Sequence, residues 1–384
     1  MSLWLIVPRD PLIFRDGKPF TAVPGERAKS MVFPYPSTLA GAVRTRLGPD
    51  PQTGQYDVER LKKIEVRGPL LAELDTDGQV KTWYFPAPAD ALLVQKDKTV
   101  KRYSLFPLKM PDGAACDLQG LSPVGPGKNV KDKPLAHPPR YWKWETMQAW
   151  LKNPADMDEV TPDNLGIQGP ARETRTHVSM DPASQTALPG ALFQTSGMEF
   201  VELKRDKDKT PELSKICHLA LALETEAALA EGVDTLAGER RVVRWQKTGQ
   251  KFPDCPPEIA GKIAEQKHCR LILATPAHFE NGYLPNWLAS KGVKVMGIAL
   301  PRYQTVSGWD YDKRSPKPTR RLAPAGSVYF LEFGAQANIE KFVKDTWLQP
   351  ISDEKDEKQC RNDGFGLALL GAWDGSLREM EVTL

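Results

Sequence analysis

Apolar residues fall along this chain in short runs, and several of these runs have the length and spacing of strands. Leu3–Val7 predicts a first strand. Lys63–Leu74 and Val80–Phe85 predict two more strands, which the Asp77-Gly78 turn joins as a hairpin. The chain is therefore expected to open as part of a sheet.

One helix is predicted between the first two of these strands. Ser37–Leu47 has apolar residues at helical spacing, with Ser37 as an N-cap and Gly48 as a stop. Its apolar face would pack on the sheet, which would leave Arg44 and Arg46 exposed to solvent. Arg44 is therefore a candidate for ligand binding.

The rest of the chain continues in the same style. Further strands are predicted at Thr174–Asp181, Ala191–Leu203, Ile216–Glu224, Arg241–Gln246, Cys269–Ala274, Val293–Leu300, Ser327–Phe333 and Phe365–Leu370. Helices are predicted at Arg140–Asn153, Pro256–Gln266 and Asn338–Trp347. The polar segment between the first two of these strands indicates a protruding hairpin.

This order of elements predicts an α+β fold. It indicates two ferredoxin-like (RRM-like) domains with antiparallel sheets, helices on one face, and long inserted loops and hairpins. The 384 residues suffice for two medium domains. We expect an N-terminal domain at 1–213 with the inserted loops and a C-terminal domain at 214–384 with a glycine-rich loop.

Composition narrows the class of protein. Lys plus Arg number 52 against 49 Asp plus Glu, so any nucleic-acid site must be a local patch. The five cysteines lack CxxC spacing, and we expect neither a metal nor a cofactor. The apolar start Met1–Phe14 is short and broken by Pro8 and Pro11, and no run approaches the roughly 18 apolar residues of a membrane span. These features predict a cytoplasmic protein without a membrane segment.

The clearest candidate for ligand binding is Gln304–Phe330, which has strand-like ends around a loop. Against only Asp310 and Asp312, the loop carries Trp309, Tyr311, Lys313, Arg314, Lys317, Arg320 and Arg321. Lys and Arg neutralise phosphates, and an exposed Trp or Tyr offers a face on which an unpaired base can stack. The alternative is a solvated basic loop whose aromatic residues pack inward.

Three further groups extend this list of candidates. They are the cations Arg240, Arg241 and Arg244, the group Arg172, Arg175 and His177, and the turn Gly364-Phe365-Gly366. Glycines let a backbone approach a ligand closely and present N–H groups to an anion. The alternatives are a plain tight turn for the glycines, and a solvated face or a salt bridge for the charged residues.

The tryptophans raise a separate expectation. Trp142, Trp144 and Trp150 lie together in the predicted helix Arg140–Asn153, where they serve as core residues or as interface anchors. Because the chain has ten tryptophans, we expect part of this cluster to form an apolar surface that needs a partner.

Catalytic chemistry has little support in the sequence. The five histidines show no metal-ligand spacing, and no pair of carboxylates stands out as an acid and base couple. His177, in polar sequence beside Arg175, is the one histidine that the sequence offers as a general base, and a structural hydrogen bond is its alternative role. We therefore expect a binding protein rather than an enzyme.

Nine segments in fixed order carry a family resemblance. They are PLIFRDGKPF, PSTLAGAVR, RGPLL, YFPAPADAL, DPASQTALPGALF, LAGERR, LATPAHFENGYLP, SGWDYDKRSPKPTRRLAPAGSVYF and GFGLALLGAW. Together they resemble the CRISPR RAMP superfamily, and within it the third subunits of type III-B (Cmr) effector complexes, which cap the crRNA 5′ tag. The resemblance covers almost the whole chain. Ala237 departs from it, because this group often has a second glycine before Gly238.

The resemblance implies a non-catalytic, crRNA-binding subunit of an antiviral ribonucleoprotein. It would hold the crRNA 5′ tag, contact the large polymerase/cyclase-type subunit and the backbone RAMP subunits, and meet target RNA indirectly. The loop Trp309–Arg321, the turn Gly364–Gly366 and the strand Arg240–Arg244 would then converge on the tag. Some RAMP relatives cut CRISPR transcripts without metal, so one alternative is an endoribonuclease with His177 or His278 as general base. A second alternative is a purely structural adaptor that contacts only protein.

Overall fold

A computed structural model describes residues 1–15, 27–28, 30–50, 52–114, 117, 120–154, 157–203, 216–310, 314–353 and 359–381. These residues form an α+β fold whose sheets are mostly antiparallel, which confirms the predicted fold class at that level. No helix in these ranges is long and apolar enough to cross a membrane.

Short strands make up most of the regular structure. Up to residue 203 they are β1 (Ser2–Pro8), β2 (Arg27–Ala28), β3 (Val66–Leu74), β4 (Val80–Pro86), β5 (Ala91–Lys96), β6 (Thr99–Ser104), β7 (Phe106–Pro107), β8 (Val124–Gly125), β9 (Tyr141–Lys143), β10 (Met157–Val160), β11 (Gly166–Ile167), β12 (Ala171–Met180), β13 (Ala187–Glu199) and β14 (Val201–Leu203). From residue 216 onward they are β15 (Ile216–Thr225), β16 (Gly232–Leu236), β17 (Arg241–Thr248), β18 (His268–Leu273), β19 (Val293–Ala299), β20 (Gln304–Val306), β21 (Trp309–Asp310), β22 (Ser315–Pro316), β23 (Arg320–Leu322), β24 (Val328–Phe333) and β25 (Ala368–Ala372).

The helices are short and lie between these strands. They are α1 (Pro36–Leu47), α2 (Val58–Lys62), α3 (Trp144–Lys152), α4 (Pro162–Leu165), α5 (Pro257–Gln266), α6 (Trp287–Ser290), α7 (Ile339–Thr346) and α8 (Gln359–Asp363). A 3-10 turn at Gly238–Arg240 precedes β17.

The larger sheet is organised around β1. Its strand order is β11-β9-β4-β3-β15-β1-β17-β16, and β14 also pairs with β15. β1 is antiparallel to both of its neighbours, and β15 separates it from β3. Both faces are buried, because Trp4 and Ile6 enter the core beneath α1 while Leu3 and Leu5 enter the opposite core.

The smaller sheet lies in the C-terminal part of the chain. Its order is β19-β24-β18-β25, and every neighbouring pair is antiparallel. Helices α5 and α7 pack on β25 and on each other. The core of this sheet is continuous with the Leu3 and Leu5 face of the larger sheet.

A buried ion pair joins the two parts. Arg270 on β18 donates from Nη1 to Asp90 Oδ2 at 2.6 Å, and their side chains are 0% and 1% exposed. Trp150 Nε1 donates to the other Asp90 oxygen at 2.9 Å, while Arg270 also donates to the carbonyls of Trp150 and Ala372. Such a pair is tolerated away from water because its polar atoms find partners.

The division between the sheets does not fall at 213/214, where we expected the domain boundary. β15, β16 and β17 follow that position, yet they pair within the larger sheet, and β15 lies at its centre between β1 and β3. The larger sheet therefore runs to Thr248, and the strands of the smaller sheet begin at His268. The sequence did not reveal this because strand pairing over such separations leaves no local signal.

Three element predictions are wrong in detail. The helix predicted at Arg140–Asn153 begins only at Trp144, because Tyr141–Lys143 form β9 and pair with β4. α1 begins at Pro36, and Tyr35 rather than Ser37 occupies the cap position, where its side chain makes no capping hydrogen bond to the helix. Proline suits the first helical position because its fixed φ is already helical. The last strand begins at Ala368 rather than at Phe365, because Gly364 and Gly366 have φ values of +95° and +84°, outside the strand region.

The tryptophan cluster is core. Trp142 and Trp150 are 0% exposed, and their ring centroids lie 5.7 Å apart in an edge-on arrangement. Trp144 is half-buried against Phe85 and Trp347. The expected partner-seeking surface is therefore absent at Trp142 and Trp150, which pack inside the molecule.

Candidate nucleic-acid interface

The basic loop is a hairpin with two distinct faces. β20 and β23 pair antiparallel, with Thr305 opposite Arg321 and Val306 opposite Arg320. Because successive residues of a strand point to opposite faces, Arg320 and Arg321 leave the hairpin on opposite sides. The hairpin continues toward its tip as the short pair β21 and β22.

The inner face of this hairpin packs on the rest of the protein. Leu322 is 1% exposed and forms a small core with Cys360 and Phe365, and Val306 and Tyr35 pack against that core. Arg320 lies on this side and donates from Nη1 to Cys360 Sγ at 2.9 Å. Arg320 is therefore a structural residue of the hairpin, in contrast to the phosphate contact that we expected.

The outer face presents an aromatic ring and a cation. Arg321 is exposed, and its Cζ lies 5.0 Å from the centroid of the Tyr303 ring. Tyr303 is itself 49% exposed. Sequence reasoning missed Tyr303 because it precedes the stretch that we singled out by one residue, although the Arg302-Tyr303 pair beside a strand carries the same signal.

Several cations at this hairpin form no ion pair with a described carboxylate. Arg302, Arg314, Lys317 and Arg321 are exposed, and none of the four pairs with a carboxylate among the residues that the structure describes. We call these four residues together with Tyr303 the basic platform. Of the other predicted loop residues, Lys313 lies outside the described residues, and Trp309 is described by its backbone only.

The glycine turn beside the platform does not present free donors. Gly364, Phe365 and Gly366 are buried. Their N–H groups donate to the carbonyls of Arg361, Cys360 and Pro276 at 3.0, 2.9 and 2.8 Å. An anion at this turn would have to displace internal hydrogen bonds, so the expected cradle for phosphate is not formed here.

The turn instead forms a close backbone contact between the two sheets, which we call the joint. A Cβ atom at Gly364 would lie 2.6 Å from the Val66 carbonyl oxygen and 2.8 Å from that of Gly68, at the start of β3. The neighbouring Asn362 donates to the Lys62 carbonyl at 3.1 Å. Glycine is required because its positive φ and this close backbone approach exclude a side chain.

Arg44 belongs to the same joint. It forms an ion pair with Asp363 at 2.6 Å and donates to the carbonyls of Leu61 and Ile64. Burial raises the pKa of Asp363, an effect that the positive charges of Arg44 and Lys317 oppose. The expectation of an exposed Arg44 is wrong, because a carboxylate far along the chain already neutralises it. Arg46 is likewise paired, with Asp234.

The Arg240 group forms a separate site around the 3-10 turn. Arg241 pairs with Glu239 at 2.6 Å and Arg244 donates to Gln246 at 2.6 Å, whereas Arg240 is exposed without a partner among the described residues. Ala237 has φ +67°, so the position where relatives often have glycine is one where glycine is favoured.

The third predicted group lies on the protruding hairpin of β12 and β13. Arg175 pairs with Glu173 at 2.8 Å, and Arg172 is exposed. His177 Nε2 is 2.8 Å from Thr195 Oγ1, and its ring stacks on Phe193 at 5.1 Å. These contacts favour the structural role for His177.

The predicted groups converge only in part. The basic loop meets the glycine turn through Phe365, Cys360 and Leu322. The Arg240 turn is held elsewhere, since Gly238 N–H donates to the Ile13 carbonyl, and the base of the protruding hairpin is bridged to Leu12 through Met198. The described residues therefore carry two basic groups, one at the platform and one beside this hairpin.

The far end of the protruding hairpin is apolar. Val178, Met180, Leu188 and Leu192 are 40%, 51%, 42% and 58% exposed. Between Thr176 and Thr195 the sequence has a single charged residue, Asp181. Exposed apolar side chains grouped in this way commonly mark an interaction surface.

Among the described residues, no group of three or more His, Cys, Asp or Glu side chains could hold a metal ion. His278 is the histidine nearest to the glycine turn in the hydrogen-bond pattern. The backbone N–H of His278 donates to Ser352 Oγ, which in turn donates to the Phe365 carbonyl. The ring Nδ1 of His278 lies 3.3 Å from the Asp353 carbonyl oxygen.

Comparison with known proteins places these features in context. A family model described as CRISPR-associated protein (Cas_Cmr3) matches residues 4–373. No curated protein matches the chain significantly.

Three solved structures align with nearly the whole chain. A chain from the cryo-EM structure of the Type III-B Cmr-beta bound to cognate target RNA aligns with a TM-score of 0.50 at 14% identity, covering 95% of each chain. The form bound to cognate target RNA and AMPPnP gives 0.49 at 15% identity and 96% of each chain. The crystal structure of the Csm3-Csm4 subcomplex in the type III-A CRISPR-Cas interference complex gives 0.36 at 10% identity, covering 97% of this chain and 99% of the other. Because the identity is only 14%, the alignment with a TM-score of 0.50 is evidence about the fold and not about the function.

Proposed function

The chain belongs to the CRISPR-associated Cas_Cmr3 family, and from this premise we propose that it is a non-catalytic subunit that binds the 5′ tag of crRNA in a type III-B effector complex. The observation that carries the RNA-binding step is the basic platform. Its four cations are exposed and lack carboxylate partners among the described residues, although the whole chain has a net charge of only +3.

Unpaired cations are the ones available to phosphates. An arginine that already pairs with a carboxylate, such as Arg44 with Asp363, gains little by meeting a phosphate because it must first give up that partner. Arg302, Arg314, Lys317 and Arg321 have no such partner in the described chain, and each phosphate that they neutralise releases condensed counterions. This argument favours the platform over the buried arginines and over the glycine turn. In the second basic group, beside the protruding hairpin, the same argument retains Arg172 and Arg240 as secondary RNA contacts.

The sheet topologies support a fold of two ferredoxin-like units. The smaller sheet follows the chain order β18, α6, β19, β24, α7, β25, with β18 and β24 at its centre and β19 and β25 at its edges. The larger sheet contains the same strand order in β3-β15-β1-β17, with α1 as the crossover from β1 to β3. The split β-α-β pattern is common to both. We place the division between these units after Thr248.

We further propose that the protruding hairpin docks another protein subunit of the complex, the large polymerase/cyclase-type subunit or a backbone RAMP subunit. Its exposed end carries Val178, Met180, Leu188 and Leu192 and almost no charge, which suits an apolar protein groove better than a phosphate backbone. The proposal thus assigns protein contacts to the apolar end of the protruding hairpin, and RNA contacts to the platform and, secondarily, to Arg172 and Arg240.

A salt series tests the RNA-binding proposal. The double variant Arg314→Ala/Lys317→Ala should reduce the dependence of log affinity on log salt by about 1.4, since each phosphate contact to single-stranded RNA contributes roughly 0.7. The matched control is Lys152→Ala/Lys341→Ala, which removes two exposed lysines that pair with Glu258 and Asp345. An unchanged slope in the platform variant, measured with tag RNA by fluorescence anisotropy, would contradict the proposal.

The second candidate function is a metal-independent endoribonuclease. The observation in its favour is the position of His278, whose backbone N–H donates to Ser352 Oγ beside the glycine turn. Incubation of the purified protein with labelled repeat RNA in EDTA distinguishes the two functions. Site-specific cleavage that His278→Ala abolishes would support the nuclease and refute the non-catalytic role.

A further inference from the structure

We infer that Tyr303, oriented by Arg321, stacks on one unpaired base of the bound RNA. The inference rests on the proposed function, in which single-stranded crRNA lies along the basic platform. It adds the subsite that takes a base rather than a phosphate, and it assigns that subsite to a residue that the basic loop itself does not contain.

The geometry carries this assignment. The Arg321 guanidinium carbon lies 5.0 Å from the Tyr303 ring centroid, within the range of a cation–π contact. The ring is nevertheless 49% exposed. Arg321 covers one face of the ring, and the base would take the other face. The guanidinium stays available to the phosphate beside that base, because Arg321 has no carboxylate partner among the described residues.

The scaffold beneath the ring is well fixed. Tyr303 directly precedes β20, whose residue Thr305 pairs with Arg321 and accepts a hydrogen bond on its carbonyl from the Tyr35 hydroxyl. The inner face of the same hairpin is anchored through Leu322 to Phe365. A stacking residue on such a scaffold loses little conformational freedom when a base arrives, which favours binding.

Other aromatic residues near the basic groups are less suited. Phe365 is 2% exposed and Tyr35 packs beside it. Phe193 already stacks on His177. Tyr56 is 51% exposed, but no cation lies over its ring among the described residues, so nothing orients it or adds a nearby positive charge. Only at Tyr303 does an exposed ring combine with unpaired cations in the described chain.

Photocrosslinking tests the contact directly. Synthetic tag RNAs carrying 5-iodouridine at one position each would be bound to the chain, alone and in the reconstituted complex, and irradiated. Iodouracil crosslinks preferentially to an aromatic side chain stacked on it. We expect one tag position to crosslink to the peptide containing Tyr303, with a yield that falls in Arg321→Ala.

Affinity measurements on matched variants supply the second readout. Tyr303→Leu should weaken binding by about 5- to 160-fold, the range for loss of one stacked base, while leaving the salt slope unchanged. Tyr303→Phe keeps the ring and should retain near-normal affinity, and Tyr56→Leu is the control for loss of an exposed tyrosine. Circular dichroism and thermal unfolding would verify that each variant is folded.

The outcomes separate this inference from the proposed function. If tag RNA binds with the expected salt slope but no position crosslinks to Tyr303 and Tyr303→Leu binds normally, the stacking site is refuted and the RNA-binding function stands. If the wild-type chain in its complex does not bind tag RNA, or the platform lysine and arginine variants leave the slope unchanged, the proposed function itself fails.

Discussion

Two adjacent arginines offer the sharpest test of how the basic hairpin is oriented. Arg321 lies on its outer face over Tyr303, whereas Arg320 lies on its inner face and donates to Cys360. We predict that Arg321→Ala changes RNA binding but not stability, and that Arg320→Ala does the reverse. The two variants serve as controls for each other, since they remove the same side chain one residue apart.

The expected magnitudes follow from these surroundings. Arg321→Ala removes one phosphate contact, which lowers the salt slope by roughly 0.7. Between 50 and 200 mM salt, such a change makes the ratio of wild-type to variant affinity fall about 2.6-fold. Arg320→Ala removes the half-buried guanidinium that donates to the buried Cys360 thiol and loosens the Leu322 core, which should lower the free energy of unfolding by about 1–3 kcal/mol.

Anisotropy titrations at several salt concentrations and urea unfolding monitored by tryptophan fluorescence measure the two effects independently. Binding would be recorded at a temperature where both variants are fully folded, so that lost stability cannot pass for lost affinity. A reduced salt slope in Arg320→Ala with a normal slope in Arg321→Ala would show that the faces are reversed, and the assignment of the platform would fall with them.

The remaining predictions concern the joint, the buried ion pair and the hairpin. A loss of stability is expected at Gly364: Gly364→Ala should lower the free energy of unfolding by roughly 1–3 kcal/mol, since its backbone has φ +95° and its Cβ would meet carbonyl oxygens of β3. The salt slope of RNA binding should stay normal in this variant. A shallower slope would instead support the glycine turn as a phosphate-binding site. Arg270→Met should lower the free energy of unfolding by about 3–5 kcal/mol, because it leaves the Asp90 carboxylate buried without its charged partner. The double variant Arg270→Met/Asp90→Leu should recover part of this stability in chemical denaturation. Full stability of the single variant would contradict the buried pair. Leu188→Ser/Leu192→Ser should weaken assembly with the other subunits in size-exclusion chromatography while tag-RNA affinity is unchanged. Normal assembly, or crosslinking of the apolar end of the protruding hairpin to RNA, would refute its role in protein docking.

Sequence patterns predicted most of the elements because those elements depend on local spacing. The hairpin of β3 and β4, the strands β15, β17, β18 and β24, and the helices α5 and α7 all lie within a few residues of their predicted bounds. The assignment of strands to sheets was harder. β15 inserts between β1 and β3 from more than a hundred residues away, and period-two alternation does not say which strand becomes its neighbour.

Local sequence also does not reveal which charged residues of the candidate site form internal ion pairs. Arg44 and Arg46 read as exposed cations in the helix pattern, yet Asp363 and Asp234 neutralise them from far along the chain. A basic residue in a sequence can therefore be a ligand contact or half of an internal pair, and only the tertiary partner decides. Arg314, Lys317 and Arg321 are exposed, because only the inner face of their hairpin packs on the rest of the protein.

The glycine turn and the basic platform are linked in a way that gives the turn a different role from the one expected of it. Phe365 lies in the small core under the hairpin, and Gly364, one residue before it, sits against the first residues of β3 in the larger sheet. The same turn thus sets the position of the hairpin relative to both sheets. Substitutions in the turn should move the platform as a unit and weaken RNA binding through misplacement, whereas substitutions on its outer face should remove single contacts. A Gly364→Ala variant that binds RNA more weakly at every salt concentration, with an unchanged slope, would be the signature of this indirect effect.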